Sequence, residues 1–198
     1  MGTRQPLIIV LGGPAGTGKT TVAEDLTSYL TKISSDTTHK FQNLYENIEF
    51  LEGDSLHPPE NIAKMAHGIP LTDADRWGWL EKVATRSVEV AEKCSLCIVT
   101  CSSLKLKYRD YIRNNDLAKK MGAKFFFILL YADKDVIRER LVKRKNHFMK
   151  ADMLDSQYRD LELPNTDKER NCCVINIENK SREQITQEVY DEVEKDFL

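Results

Sequence analysis

One stretch, LIIVLGGPAGTGKT at residues 7–20, restricts the fold more than any other part of the chain. The apolar run Leu7-Ile-Ile-Val-Leu11 has the length and branching of a buried strand. It leads straight into Gly13-Pro14-Ala15-Gly16-Thr17-Gly18-Lys19-Thr20, which fits G-x-x-x-x-G-K-[ST] at every fixed position. Thr21 to Leu30 then reads as an amphipathic helix. Glycines in such a loop let successive backbone N–H groups turn inward around phosphate oxygens, and the helix aims its positive end at the same anion. Lys19 is placed to reach the β- and γ-phosphates, and the Thr20 hydroxyl to ligate Mg²⁺. The strand before and the helix after distinguish this loop from a glycine-rich turn without function. Glycines at 13, 16 and 18 do not follow the dinucleotide spacing G-x-G-x-x-G.

The 198 residues predict a single domain with one core. A net charge of −2 gives no electrostatic reason to expect a nucleic-acid backbone as partner. No apolar run approaches the roughly 20 residues that span a bilayer. The first residues run directly into the first strand, so neither a signal peptide nor a myristoylation pattern is expected. Five cysteines without secretory features predict reduced thiols in the cytosol. Cys97 and Cys101 fall in a strand-like run and no second ligand pair follows, so a zinc site is not expected. Cys172 and Cys173 are adjacent on another strand and should point to opposite faces.

Strand-like and helix-like segments alternate along the chain, which predicts an α/β fold with a parallel sheet. After the polar stretch at 34–40 come a strand at 48–53 and a short helix entered through Pro58 and Pro59 and ended by Gly68. Thr72 to Asp75 has capping-box spacing before a long helix. A third strand is expected at 96–101, a helix over 104–120, a strand at 124–131 and a helix at 133–145. A polar stretch at 146–163 precedes a last strand near 174–177, and Ser181 caps a final helix.

Ligands of such sheets bind at the carboxyl ends of the strands, where three polar clusters lie. In Glu52-Gly-Asp54-Ser-Leu-His57, Asp54 is placed to accept the proton of an attacking hydroxyl, or to hold Mg²⁺ through water. An Asp in a turn that bonds its own backbone is the plainer reading. Asp73 and Asp75 suit a helix N-terminus, whereas Arg76 there opposes the dipole and points to an anionic partner. In the third cluster, Lys105 and Arg109 lie four apart on one helix face just past a strand end. That position favours acceptor recognition over an ordinary solvated pair. Arg138, Arg140, Arg144, Lys145 and His147 concentrate positive charge where a lid would close over a transferred phosphoryl group.

Taken together, GPAGTGKT, GDSLHPPENIAKMAHGIPLTDADRWGWL, CSSLKLKYRDYIR and RLVKRKNHFMKADMLDSQYRDLELP resemble the gluconokinase family of small P-loop kinases over residues 7–177. The similarity is greatest to fungal members, and the middle two strings are far more diagnostic than the phosphate loop. The resemblance implies a P-loop NTPase fold with a parallel five-stranded sheet flanked by helices and a helical lid, like adenylate and shikimate kinases. It implies one kinase domain over 1–198 with a lid at about 144–163. The implied reaction moves the ATP γ-phosphoryl group to the 6-hydroxyl of D-gluconate with Mg²⁺. It gives 6-phospho-D-gluconate and ADP for the pentose phosphate pathway, in the cytoplasm, and family members are commonly homodimers.

Residue by residue, the resemblance assigns ATP phosphates to Gly13, Pro14, Ala15, Gly16, Thr17, Gly18, Lys19, Thr20 and Thr21. It assigns gluconate to Asp54, His57, Arg76, Lys105, Arg109 and His147. Lys19, Asp54, Arg140 and Arg144 are the expected catalytic groups. Ala74 stands where the family has an aspartate, and Asn146 where it has a glycine. A kinase for another small acceptor shares this fold and lid. A GTPase switch is disfavoured, because Asn179-Lys180 lacks an Asp two residues on.

Overall fold

Five apolar segments form the strands of the computed structural model, which describes residues 5–36, 47–143, 151–165 and 167–197. They are β1 (Leu7–Gly12), β2 (Asn47–Leu51), β3 (Ser95–Thr100), β4 (Lys124–Tyr131) and β5 (Cys172–Asn176). All pairings are parallel, in the order β2-β3-β1-β4-β5. Parallel neighbours cannot be joined by hairpins, so helices carry the chain back across the sheet faces.

Period-two alternation decides what each face packs against. Ile9, Leu11, Ile98, Phe126, Ile128, Cys173 and Ile175 point to one layer. There they meet Val22, Leu26 and Leu30 of α1 (Lys19–Ser35) and Ile185, Val189 and Val193 of α8 (Arg182–Phe197). Ile8, Val10, Cys97, Val99, Phe127, Leu129 and Cys172 point to the other. They meet Trp79, Leu80, Val83 and Val88 of α3 (Asp73–Cys94), together with Tyr108 and Ile112. Cys172 and Cys173 thus face opposite layers as expected.

Short helices fill the connections: α2 (Pro59–Ala66), α4 (Leu106–Arg113), α5 (Asp116–Met121), α6 (Lys134–Lys143) and α7 (Ala151–Asp160). Gly68 closes α2 with a φ of +72°. Its N–H bonds Met65 O and the Ile69 N–H bonds Lys64 O, the two bonds of a Schellman motif. At the start of α3, Thr72 donates both its N–H and its hydroxyl to Asp75, at 2.9 and 2.8 Å. Only the backward half of the expected capping box is therefore made.

The helix expected over 104–120 is two helices. Asn115 breaks it, because its Oδ1 caps the Ala118 N–H at 3.1 Å while its amide donates to Glu81 at 2.8 Å. The polar stretch expected at 146–163 contains α7, and β5 begins two residues earlier than the expected 174. Of the stretch at 34–40, residues 34 and 35 end α1 and those from 37 on lie outside the described residues.

One buried ion cluster ties the connection before β5 to α4. Arg109 Nε and Nη2 grip the Glu169 carboxylate at 2.7 and 2.8 Å, and Arg113 Nη2 shares it at 2.6 Å. Burial pushes the Glu169 carboxyl up, but hydrogen bonds from Arg109 and Arg113 more than offset this and hold it low. Removing one partner of such a cluster strands the others without compensation. Glu169→Ala is expected to cost about 3–5 kcal/mol of unfolding free energy in urea denaturation. A loss under about 1 kcal/mol, the range of an exposed ion pair, would contradict this role.

Candidate active site

The phosphate loop sits between the end of β1 and the start of α1, and its backbone demands glycine. Gly13, Gly16 and Gly18 have φ of +113°, +84° and +90°. A Cβ on Gly13 would come 2.2 Å from Leu130 O, so the loop is pressed onto β4. Ile137 and Leu141 of α6 close over Gly16 from the other side. Thr17 Oγ1 bonds Pro14 O at 2.8 Å and holds the loop's shape. Lys19 Nζ curls back onto the Gly13 and Pro14 carbonyls at 3.0 and 2.9 Å. Burial lowers its pKa, with Asp54 and Glu52 opposing, so both carboxylates lie within electrostatic reach of the lysine.

Beside the loop, Thr20 Oγ1 donates to Glu52 Oε2 at 2.7 Å. The other Glu52 oxygen accepts from the Thr100 hydroxyl at the end of β3. Thr100 Oγ1 in turn accepts from the Gly53 N–H at 3.1 Å. Any side chain at Gly53 would strike Thr100 O at 1.9 Å. The sequence Glu-Gly-Asp is thus pinned to β3 through its glycine, with Glu52 toward the phosphate loop and Asp54 beyond it. A hydroxyl and carboxylates are the hard oxygen donors that suit Mg²⁺, so the residues present fit that ion.

The acceptor side begins at Asp54, whose side chain is 75% exposed. His57 Nε2 lies 3.9 Å from Asp54 Oδ1, and its ring stacks on Trp79 with centroids 4.1 Å apart. Burial pushes the His57 pKa down to about 4, with Arg76 reinforcing and Asp54 opposing, so the imidazole is neutral at pH 7. Arg76 is 8% exposed, its guanidinium 5.8 Å over the Tyr108 ring. Its Nε has no hydrogen-bond partner among the described residues. A buried cation of this kind is poised for an anion. Lys105 Nζ contacts Asp73 and Asp160, each at 3.0 Å. Burial alone would lower its pKa, but those carboxylates raise it above the usual lysine range.

Helix α7 crosses both sides. Gln157 Oε1 accepts from the Ala15 N–H of the phosphate loop at 2.7 Å, and Asp160 reaches Lys105. Tyr158 OH anchors the helix on Ala132 O at 2.6 Å. Among the expected lid cations, Arg138 pairs with Asp135 and Asp155, and Arg140 donates to Ile177 O at 3.1 Å. Arg144, Lys145 and His147, with the first part of the expected lid, lie outside the described residues.

One expected acceptor residue is placed elsewhere. Arg109 is 1% exposed and is spent on Glu169 and on the Ser103 and Leu104 carbonyls. In place of a free cation facing an acceptor, it is an internal strut. The two do not share a helix face as expected: Lys105 is the extended residue that precedes α4, with its side chain on Asp73 and Asp160, while Arg109 lies within α4 and points to the core. Sequence reasoning assigned no role to Glu52, Thr100, Asn61, Gln157 or Asp160. Only Glu52 carried a signal, as the acidic residue ending a strand one glycine before Asp54.

Comparison with known proteins identifies the family. The AAA domain model matches residues 9–170. A protein of Saccharomyces cerevisiae named probable gluconokinase is 47% identical over 96% of this chain and 92% of its own length. The thermoresistant gluconokinase of Escherichia coli is 36% identical over 86% of this chain and 85% of its own. The crystal structure of a gluconokinase from Sinorhizobium meliloti superposes with a TM-score of 0.75 at 32% identity, covering 97% of this chain and 94% of that one. The fold, the phosphate loop and these full-length similarities together place the chain in the gluconokinase family of P-loop kinases.

Proposed function

We propose that this protein transfers the ATP γ-phosphoryl group to the 6-hydroxyl of D-gluconate, giving 6-phospho-D-gluconate and ADP. One observation carries the reading. Across the strand ends from the phosphate loop stand a solvent-facing carboxylate, Asp54, and a buried cation with an unpartnered N–H, Arg76. This pair suits an acceptor that is both a hydroxyl donor and an anion. Gluconate has its carboxylate and its 6-hydroxyl at opposite ends of one chain, and the family similarity supports it over other small acceptors.

In this reading residues 13–21 bind the ATP phosphates through the loop's backbone N–H groups. Lys19 leaves the Gly13 and Pro14 carbonyls to neutralise the β- and γ-phosphates. Thr20 is the side chain that would ligate Mg²⁺, oriented by Glu52, and the ion when bound supplies charge neutralisation on the phosphates. Asp54 orients or deprotonates the attacking hydroxyl, and His57 contacts the acceptor beside it. Arg76 and Lys105 receive the gluconate carboxylate, the latter by exchange with Asp160. Arg140, on leaving the Ile177 carbonyl, and Arg144 of the lid stabilise the moving phosphoryl group, and His147 of the lid contacts gluconate. The whole chain acts as one kinase domain, in the cytoplasm, as a homodimer.

An ATP-dependent assay across D-gluconate, shikimate, glucose and nucleoside monophosphates tests the reading. D-gluconate is expected to be the preferred acceptor, and preference for any of the others would overturn it. Lys19→Ala and Asp54→Asn are each expected to cut kcat by roughly 10²–10⁴-fold with an unchanged circular dichroism spectrum. Near-normal kcat in the Asp54 variant would remove its role as base. For Arg76→Ala the loss should fall on the gluconate KM and spare the ATP KM; an unchanged gluconate KM counts against contact with the acceptor. Glu52→Ala should raise the Mg²⁺ concentration for half-maximal rate by about 10–100-fold, the usual cost of losing a group that orients a metal ligand.

A further inference from the structure

We infer that Asn61 is a positioning residue that fixes His57 as its Nε2–H tautomer and aims that N–H at the acceptor beside Asp54. The inference rests on the reading of His57 and Asp54 as acceptor contacts and adds how the imidazole is prepared for that task.

Asp75 O can only accept, and Asn61 Nδ2 lies 2.8 Å from it. The opposite orientation of the amide would set Oδ1 against that carbonyl, oxygen facing oxygen. The amide nitrogen is therefore on the Asp75 side, and its second N–H faces His57 Nδ1 at 3.3 Å. Two N–H groups cannot bond one another, so Nδ1 carries the lone pair and the proton of the neutral ring sits on Nε2. Asn61 is 3% and His57 7% exposed, so water cannot readily substitute for either partner. Trp79 holds the ring plane by stacking, and its own Nε1–H is tied to Gly53 O at 2.8 Å.

The consequence lies at the other nitrogen. Nε2 and Asp54 Oδ1 are 3.9 Å apart, too far for a direct hydrogen bond. An oxygen about 2.8 Å from both completes a triangle, accepting from Nε2–H and donating to the carboxylate. A substrate hydroxyl has that polarity. His57 with its proton on Nε2 cannot take the hydroxyl proton, so the two side chains divide the work: His57 donates and Asp54 accepts. The charged groups facing the ring, Asp54 and Arg76, act on its charge in opposite directions and do not alter which nitrogen bears the proton.

Long-range ¹H–¹⁵N correlation of the histidine rings in the wild-type protein tests this without any variant. His57 is expected to show a protonated Nε2 and an unprotonated Nδ1 throughout pH 6–8. In Asn61→Leu, which removes both donors at similar volume, the ring should lose that single tautomer. The gluconate KM should rise about tenfold while the ATP KM changes less than twofold. A wild-type His57 with the proton on Nδ1 would overturn the inference. So would an Asn61→Leu protein that keeps both the tautomer and the gluconate KM. If the wild type shows the Nε2–H tautomer but does not phosphorylate gluconate, the substrate reading falls and the tautomer assignment stands.

Discussion

The carboxylate of Glu52 holds the two halves of the site together. One oxygen takes the Thr20 hydroxyl at the start of α1, the other the Thr100 hydroxyl at the end of β3. Gly53 completes the junction by lying against Thr100 so closely that no other residue fits. With β3 between β2 and β1 in the sheet, these contacts set Asp54 at a fixed offset from the phosphate loop. Phosphoryl transfer depends on in-line placement of two substrates more than on covalent chemistry by the protein. A rigid link between the phosphate loop and Asp54, the acceptor carboxylate of the proposed reading, is what that demands.

Around this link several polar groups rest on internal partners. Lys19 rests on loop carbonyls, Ala15 N–H on Gln157, and Lys105 on Asp73 and Asp160. In the proposed reading, substrates exchange for these internal partners, which limits the desolvation cost of binding. Arg76 differs, since its buried Nε is unpartnered among the described residues. Helix α7 supplies two of the internal partners, Gln157 on the donor side and Asp160 on the acceptor side.

The fold was largely legible because its signals are local. Apolar runs such as Lys124–Tyr131 read as strands at their true bounds, and the glycines of residues 13–18 fix a loop that only a strand and a helix can flank. Gly68 likewise stops α2 through its own backbone. Where legibility failed, a side chain acted at a distance. Asn115 splits an expected helix through a bond to Glu81 on α3, which helical spacing does not reveal. Arg109 resembles an acceptor cation by position, yet Glu169, 60 residues on, draws it into the core. Asn61 is a mixed case, since His57 lies four residues before it but the Asp75 carbonyl that orients its amide is 14 residues on.

Transfer to the gluconate 6-hydroxyl in the cleft facing the phosphate loop is read directly from the ³¹P spectrum of the reaction mixture. With ATP, Mg²⁺ and D-gluconate, a phosphomonoester resonance split by the two C6 protons is expected, growing in step with ADP. A phosphomonoester coupled to a different carbon's proton, or inorganic phosphate as the sole new product, would contradict it.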